Sequence, residues 1–121
     1  MGQFRVSVTL YPRGAGEPQR LEALVDAGAC YTAVPRPIVE ALGCEPHRTQ
    51  GVQFADGRAE QWSLAQVELE YEGRRAVTPV LMAPPDAPIL LGMTTLEELG
   101  LGIDPINQRL VPAEIFLFAV R

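Results

Sequence analysis

Short apolar runs, each cut off within a few residues by glycine or proline, dominate this chain and leave almost no room for a helix to cross over between parallel strands. Proline removes a backbone donor and glycine weakens any helix interior, so 11 glycines and 11 prolines in 121 residues are more than a helical bundle tolerates. The pattern predicts an all-β fold, a small closed β-barrel with one or two short helices. The length fits one domain spanning residues 1–121, able to bury a modest core without metal or disulfide staples.

Residues 3–11 alternate, with Phe4, Val6, Val8 and Leu10 on one side and Arg5, Ser7 and Thr9 on the other, as a half-buried strand should. Pro12 to Pro18 is a turn, and Arg20 to Val25 a second strand that delivers Asp26 at its end. Tyr31 to Val34 reads as a further strand. Pro37 suits the first turn of a short helix carrying Ile38, Val39, Ala41 and Leu42, which Gly43 ends. Gln50 to Leu64 reads as a hairpin around Asp56-Gly57, a two-residue turn in which both positions need positive φ. A second hairpin joins Val67–Tyr71 to Arg75–Leu81 through Glu72-Gly73-Arg74. Ala83 to Pro88 is a loop, and Ile89 to Leu91 a short strand buried on both faces. Thr94 or Thr95 then offers a capping hydroxyl, with Glu97 or Glu98 three residues on, for a second helix that Gly100 closes. Asp104-Pro105 and Asn107-Gln108 signal turns before Arg109–Val111 and the apolar run Ile115 to Val120.

The most informative chemistry lies where Leu24-Val25-Asp26-Ala27-Gly28-Ala29-Cys30-Tyr31-Thr32-Ala33-Val34-Pro35 places one carboxylate on a tight turn after a strand. Downstream, Ile89-Leu90-Leu91-Gly92 is an apolar strand that ends in glycine and leads into the second helical pattern. Together these segments resemble the retropepsin-like aspartic peptidases, in which an Asp-Thr-Gly or Asp-Ser-Gly loop follows a strand and an apolar-apolar-Gly segment packs beside it. The resemblance covers most of the chain and implies the acid-protease β-barrel. It makes Asp26 the catalytic residue, Ala27, Gly28 and Ala29 its supporting loop, and Ile89, Leu90, Leu91 and Gly92 the strand packed against that loop.

In that family a half-size chain supplies one aspartate and two chains make one site. Peptide hydrolysis by this route needs one carboxylate ionised and one protonated, sharing a water, so a lone Asp-x-Gly loop implies a homodimer acting on a peptide or protein substrate. Phe54, Ala55, Asp56, Gly57 and Arg58 fall where the family has its flap, a hairpin that closes over substrate. Ile115 to Val120, with Phe116 and Phe118, falls where the family builds an intersubunit strand. The family's threonine or serine is Ala27 here; its hydroxyl reaches across the dimer axis to the partner loop, so alanine implies a looser dimer rather than a missing catalytic group. The same replacement leaves open a second reading, a catalytically weak or inactive module of the same fold that dimerises or binds peptides.

Other features narrow the alternatives. A formal charge of −5 with scattered arginines argues against nucleic acid, whose phosphates need clustered basic residues. Cys30 and Cys44 are too few for a metal cluster, though a disulfide between them stays open, and no metal or organic cofactor is implied. The amino terminus lacks the apolar core of a signal peptide and no run is long enough to span a bilayer, so a cytoplasmic setting without membrane partners is expected. Asp56 reads as a turn former before it reads as an acid, and His47, in a polar segment, as a solvated side chain. Cys30 has no histidine placed beside it by the motif and reads as a small buried residue rather than a nucleophile. Trp62 reads as core or hairpin anchor.

Overall fold

The computed structural model describes residues 3–114. Strands β1 (Phe4–Tyr11), β2 (Gln19–Val25) and β3 (Thr32–Pro35) lead into helix α1 (Arg36–Ala41). Strands β4 (Pro46–Gln53), β5 (Ala59–Tyr71), β6 (Arg74–Ala83) and β7 (Leu90–Leu91) follow, then helix α2 (Met93–Leu99), β8 (Leu101–Asp104) and β9 (Arg109–Pro112). The predominance of strand with two short helices agrees with the expected class.

Seven strands form one sheet in the order β1-β2-β7-β3-β6-β5-β4, and β1 pairs a second time, with β5. That extra pairing, Thr9 opposite Glu70 through Tyr11 opposite Glu68, closes the sheet on itself and leaves β4 outside the ring. Closure removes the free edges that an open sheet would expose. The alternation of β1 is realised, with Val8 and Leu10 buried and Arg5 and Ser7 exposed. The interior is filled by Val8, Leu10, Val25, Val34, Val67, Leu69, Val80, Leu91, Leu96 and their neighbours.

Two expected strands merge. The expected boundary near Leu64 does not exist, because no glycine or proline interrupts Ala59 to Tyr71 and β5 runs through it for 13 residues. Leu64 packs in a second, smaller cluster with Ala33, Leu81 and Ala83, whereas Ala65, Val67 and Leu69 enter the main core. β5 thus passes from the outer hairpin into the body of the molecule.

The two hairpin turns exchange the characters expected of them. Glu72 (φ 46°) and Gly73 (φ 86°) form the two-residue turn with both residues at positive φ, between paired Tyr71 and Arg74. At Asp56-Gly57 only Gly57 has positive φ (92°), and Phe54 N–H bonds to Arg58 O at 2.9 Å, so the loop is the three residues Ala55 to Gly57. The physical reason is the Asp56 carboxylate, which accepts the Arg58 N–H at 3.0 Å and holds the longer turn.

Helix α2 departs from expectation at its start. Neither Thr94 nor Thr95 caps it: the N-cap is Gly92 and no side chain bonds to the first turn. Strand β8, which the sequence reading omitted, pairs with β9 in a separate two-stranded sheet. Within the turn between them the Asp104 carboxylate accepts the Ile106 and Asn107 N–H groups, each at 3.2 Å. The expected strand Ile115 to Val120 lies outside the described residues. No helix among the described residues is long and apolar enough to cross a membrane.

Candidate active site

Asp26 follows β2 directly, and its backbone continues the sheet for one more bond, N–H to Leu91 O at 3.1 Å. β2 and β7 run parallel here, with Leu24 opposite Leu90 and Val25 opposite Leu91. The chain then turns sharply: Ala29 N–H bonds to Asp26 O at 3.1 Å, and Gly28 N–H donates to Asp26 Oδ1 at 2.9 Å. One carboxylate oxygen is therefore fixed by its own loop. Asp26 is partly exposed, and Ala27 and Gly28 are exposed.

The corner between β7 and α2 grips the rest of this loop. A helix start leaves backbone N–H groups without intrahelical partners. Here Met93 N–H donates to Ala29 O and Thr94 N–H to Cys30 O, both at 2.9 Å. The carbonyls of the aspartate loop cap the helix, which explains why no side chain does so. Gly92 sits where the two backbones come closest. A Cβ on it would lie 2.4 Å from Tyr31 C, 2.5 Å from Tyr31 O and 2.8 Å from Thr32 N, all backbone atoms that cannot yield without moving the loop. Gly92 N–H in turn donates to the buried Thr32 Oγ1 at 3.0 Å.

Asp26 to Ala29 and Ile89 to Gly92, predicted as a site from sequence, are thus brought into direct contact. Leu24 N–H also bonds to Ile89 O at 2.8 Å. The proposed flap residues are connected to them only indirectly. Among the described residues, the hydrogen bonds of Phe54 to Arg58 stay within the hairpin, including Arg58 Nε to Asp56 Oδ2 at 2.8 Å and Arg58 to Glu60 Oε2 at 3.1 Å. The Arg58 guanidinium lies 4.6 Å from the centre of the Phe54 ring, which is 5.7 Å from that of Trp62. Hydrogen bonds from the Arg58 side chain and backbone hold the Asp56 carboxyl below its ordinary value. That suits an ionised turn former. The hairpin and the loop are linked by the second apolar cluster, against which Val52, Trp62, Tyr31, Ala87 and Leu90 pack, and by the Arg48 guanidinium, which donates to the Tyr31 hydroxyl at 3.4 Å.

Contrary to expectation Cys30 is exposed, because the loop turns only its backbone carbonyl inward to Thr94 N–H and leaves the thiol at the surface, 3.8 Å from Thr94 Oγ1. It and Cys44 are both free, and Cys44 is buried, where desolvation raises the pKa of its thiol. His47 is exposed, its Nε2 3.4 Å from the Gln66 amide nitrogen. A cavity of about 430 Å³ lies elsewhere, lined by Arg5, Arg20, Tyr71, Glu72 and Arg109 among others, and does not include Asp26. The sequence reading missed Thr32, Thr78 and Thr95, whose hydroxyls meet in the interior behind the loop. Only the paired threonines at the start of α2 hinted at them.

The fold and this aspartate loop define a retroviral-type aspartyl protease architecture. Residues 15–98 match the protein family described as "gag-polyprotein putative aspartyl protease", and the chain belongs to that family. The solution structure of the simian foamy virus (mac) protease is similar, with 24% identity and a TM-score of 0.57 over 78% of this chain and 92% of that one. So is the EIAV protease complexed with the inhibitor HBY-793, with 19% identity and a TM-score of 0.63 over 96% of this chain and 94% of that one. At these identities the two structures share the fold. Comparison with curated proteins finds none that matches.

The contact at Gly92 generates a prediction. Gly92→Ala forces the aspartate loop off α2 and lowers stability by about 1–3 kcal/mol, as overpacking does. Gly14→Ala, whose Cβ meets nothing within 4 Å, stays within about 0.5 kcal/mol of wild type. Urea denaturation of both variants measures the difference; equal midpoints would contradict the close approach.

Proposed function

We propose that residues 1–121 form an aspartic endopeptidase domain that works as a homodimer, each chain contributing Asp26 to one catalytic pair. The observation that carries this reading is the Asp26 carboxylate itself, partly exposed at the end of a buried strand with Oδ1 fixed by Gly28 N–H at 2.9 Å. The loop is held by backbone hydrogen bonds from Asp26 to Leu91 and from Met93 and Thr94 to Ala29 and Cys30. The sequence holds a single Asp-x-Gly loop, so the second carboxylate has to come from another copy.

Two carboxylates held close by symmetry cannot both ionise readily, so they share a proton and titrate as a coupled pair. The ionised member takes a proton from a bound water, which attacks the peptide carbonyl. The protonated member gives its proton toward the leaving nitrogen as the carbon–nitrogen bond breaks. Gly28 N–H keeps one oxygen of each carboxylate in place through these transfers. An extended peptide would lie across the pair by main-chain hydrogen bonding, with the Phe54 to Arg58 tips above it excluding water. Free Cys30 and Cys44 fit a reducing, cytoplasmic setting.

Ala27 favours one further reading, a dimer of this fold that binds peptides with weak turnover or none. Alanine supplies no hydroxyl to tie one loop to its symmetry mate. Acid-range cleavage of an unfolded protein, blocked by a statine-type transition-state mimic, separates the two.

Two outcomes follow from this reading. Asp26→Asn keeps the oxygen that accepts Gly28 N–H, so it should stay folded and dimeric while cleavage is lost; retained turnover would remove Asp26 from the mechanism. Ala27→Thr should restore a net hydrogen bond in each subunit, about 1–3 kcal/mol per dimer, and tighten dimerisation by about fivefold to 150-fold. Analytical ultracentrifugation reads this directly, and an unchanged dissociation constant refutes the role given to the hydroxyl.

A further inference from the structure

Three threonines meet in the interior behind the aspartate loop, each from a different element: Thr32 on β3, Thr78 on β6 and Thr95 on α2. Each is 0% exposed. Thr32 Oγ1 lies 2.5 Å from Thr95 Oγ1, which lies 2.9 Å from Thr78 Oγ1. At the other end Thr32 Oγ1 accepts the Gly92 N–H at 3.0 Å. The result is one continuous line of hydrogen bonds from β6 through α2 and β3 to the backbone of Gly92.

Packing alone does not explain this arrangement. Valine has the same shape as threonine without a hydroxyl to desolvate, and a buried hydroxyl is tolerated only when it is hydrogen-bonded. What the hydroxyls add is direction, because hydrogen bonds weaken steeply with misalignment whereas apolar contacts slide. The segment they hold is the one on which Asp26 depends. Gly92 lies between Leu91, whose carbonyl takes the Asp26 N–H, and Met93 and Thr94, whose N–H groups take the Ala29 and Cys30 carbonyls. A shift of α2 against β3 would be passed to the carboxylate through all of these bonds.

We propose that the Thr32–Thr95–Thr78 hydroxyl chain sets the position of the Asp26 loop against helix α2, making Thr95 a positioning residue for the hydrolysis proposed above. Thr95 is not part of the Asp26 loop, and it acts through Thr32 and Gly92. The inference rests on the peptidase reading for its catalytic consequence, but its structural half stands independently.

The test compares full-length wild type, Thr95→Val and Thr95→Ser. Cleavage of an unfolded protein is measured above the dimer dissociation constant, and amide hydrogen exchange at Asp26, Met93 and Thr94. Thr95→Val keeps the shape and removes the hydroxyl. It should lower kcat about tenfold or more, with KM changed less than about twofold, since small misplacements of a reacting group are costly. Exchange at the three amides should quicken about tenfold. Thr95→Ser, which restores the hydroxyl, should recover both.

Wild-type kcat and exchange in Thr95→Val overturn the proposal, and so does a loss that Thr95→Ser shares, since that would report packing. If wild type cleaves nothing under any condition, the peptidase reading fails. The exchange rates then decide the hydroxyl chain by themselves: faster exchange in Thr95→Val that Thr95→Ser reverses supports it, and unchanged exchange overturns it.

Discussion

The exchange of backbone hydrogen bonds between the aspartate loop and the β7–α2 corner is the constraint on which the rest of the structure depends. Met93 and Thr94 donate to Ala29 and Cys30, Leu91 accepts from Asp26, and Gly92 allows the two backbones to touch. Each bond contributes only about 0.5–1.5 kcal/mol net, but the three act together on one short loop. A tight loop and a short helix, neither stable alone, complete each other.

The same exchange holds the Asp26 loop from behind. Everything behind Asp26 is fixed by the ring of strands and by α2, whereas its carboxylate and the neighbouring Ala27 and Gly28 face outward. The β4–β5 hairpin is held differently. Its β4 arm lies outside the closed ring, and it meets the loop region through packing of Val52 and Trp62 near Tyr31 and Leu90 and through a 3.4 Å hydrogen bond from the Arg48 guanidinium to the Tyr31 hydroxyl.

Much of this was legible in the sequence because it is written locally. Asp26-Ala27-Gly28, the alternation of β1 and the glycine ending Ile89 to Gly92 each carry their structural demand in adjacent residues. The misreadings at Thr95 and at Leu101 to Asp104 come from partners outside the segment itself. Thr95 has the spacing of a capping residue, but the helix donors are already taken by carbonyls of the Asp26 loop, and its hydroxyl instead meets Thr32, 63 positions away. At Asp56-Gly57 the cause is local: the composition suits a two-residue turn, but the Asp56 carboxylate accepts the Arg58 N–H and holds a loop of three residues. Leu101 to Asp104 is a strand because β9 returns to pair with it, which its own four residues do not announce.

The central claim is that one active site needs two copies of Asp26, and a mixing experiment tests it most directly. Wild-type chain is blended with Asp26→Asn chain at constant total concentration, allowed to exchange subunits, and assayed for cleavage. If both carboxylates are required, mixed dimers are inactive and the rate follows the square of the wild-type fraction, about one quarter of full activity at equal proportions. A rate that falls in simple proportion, to about one half, would show that each chain acts alone and would contradict the account.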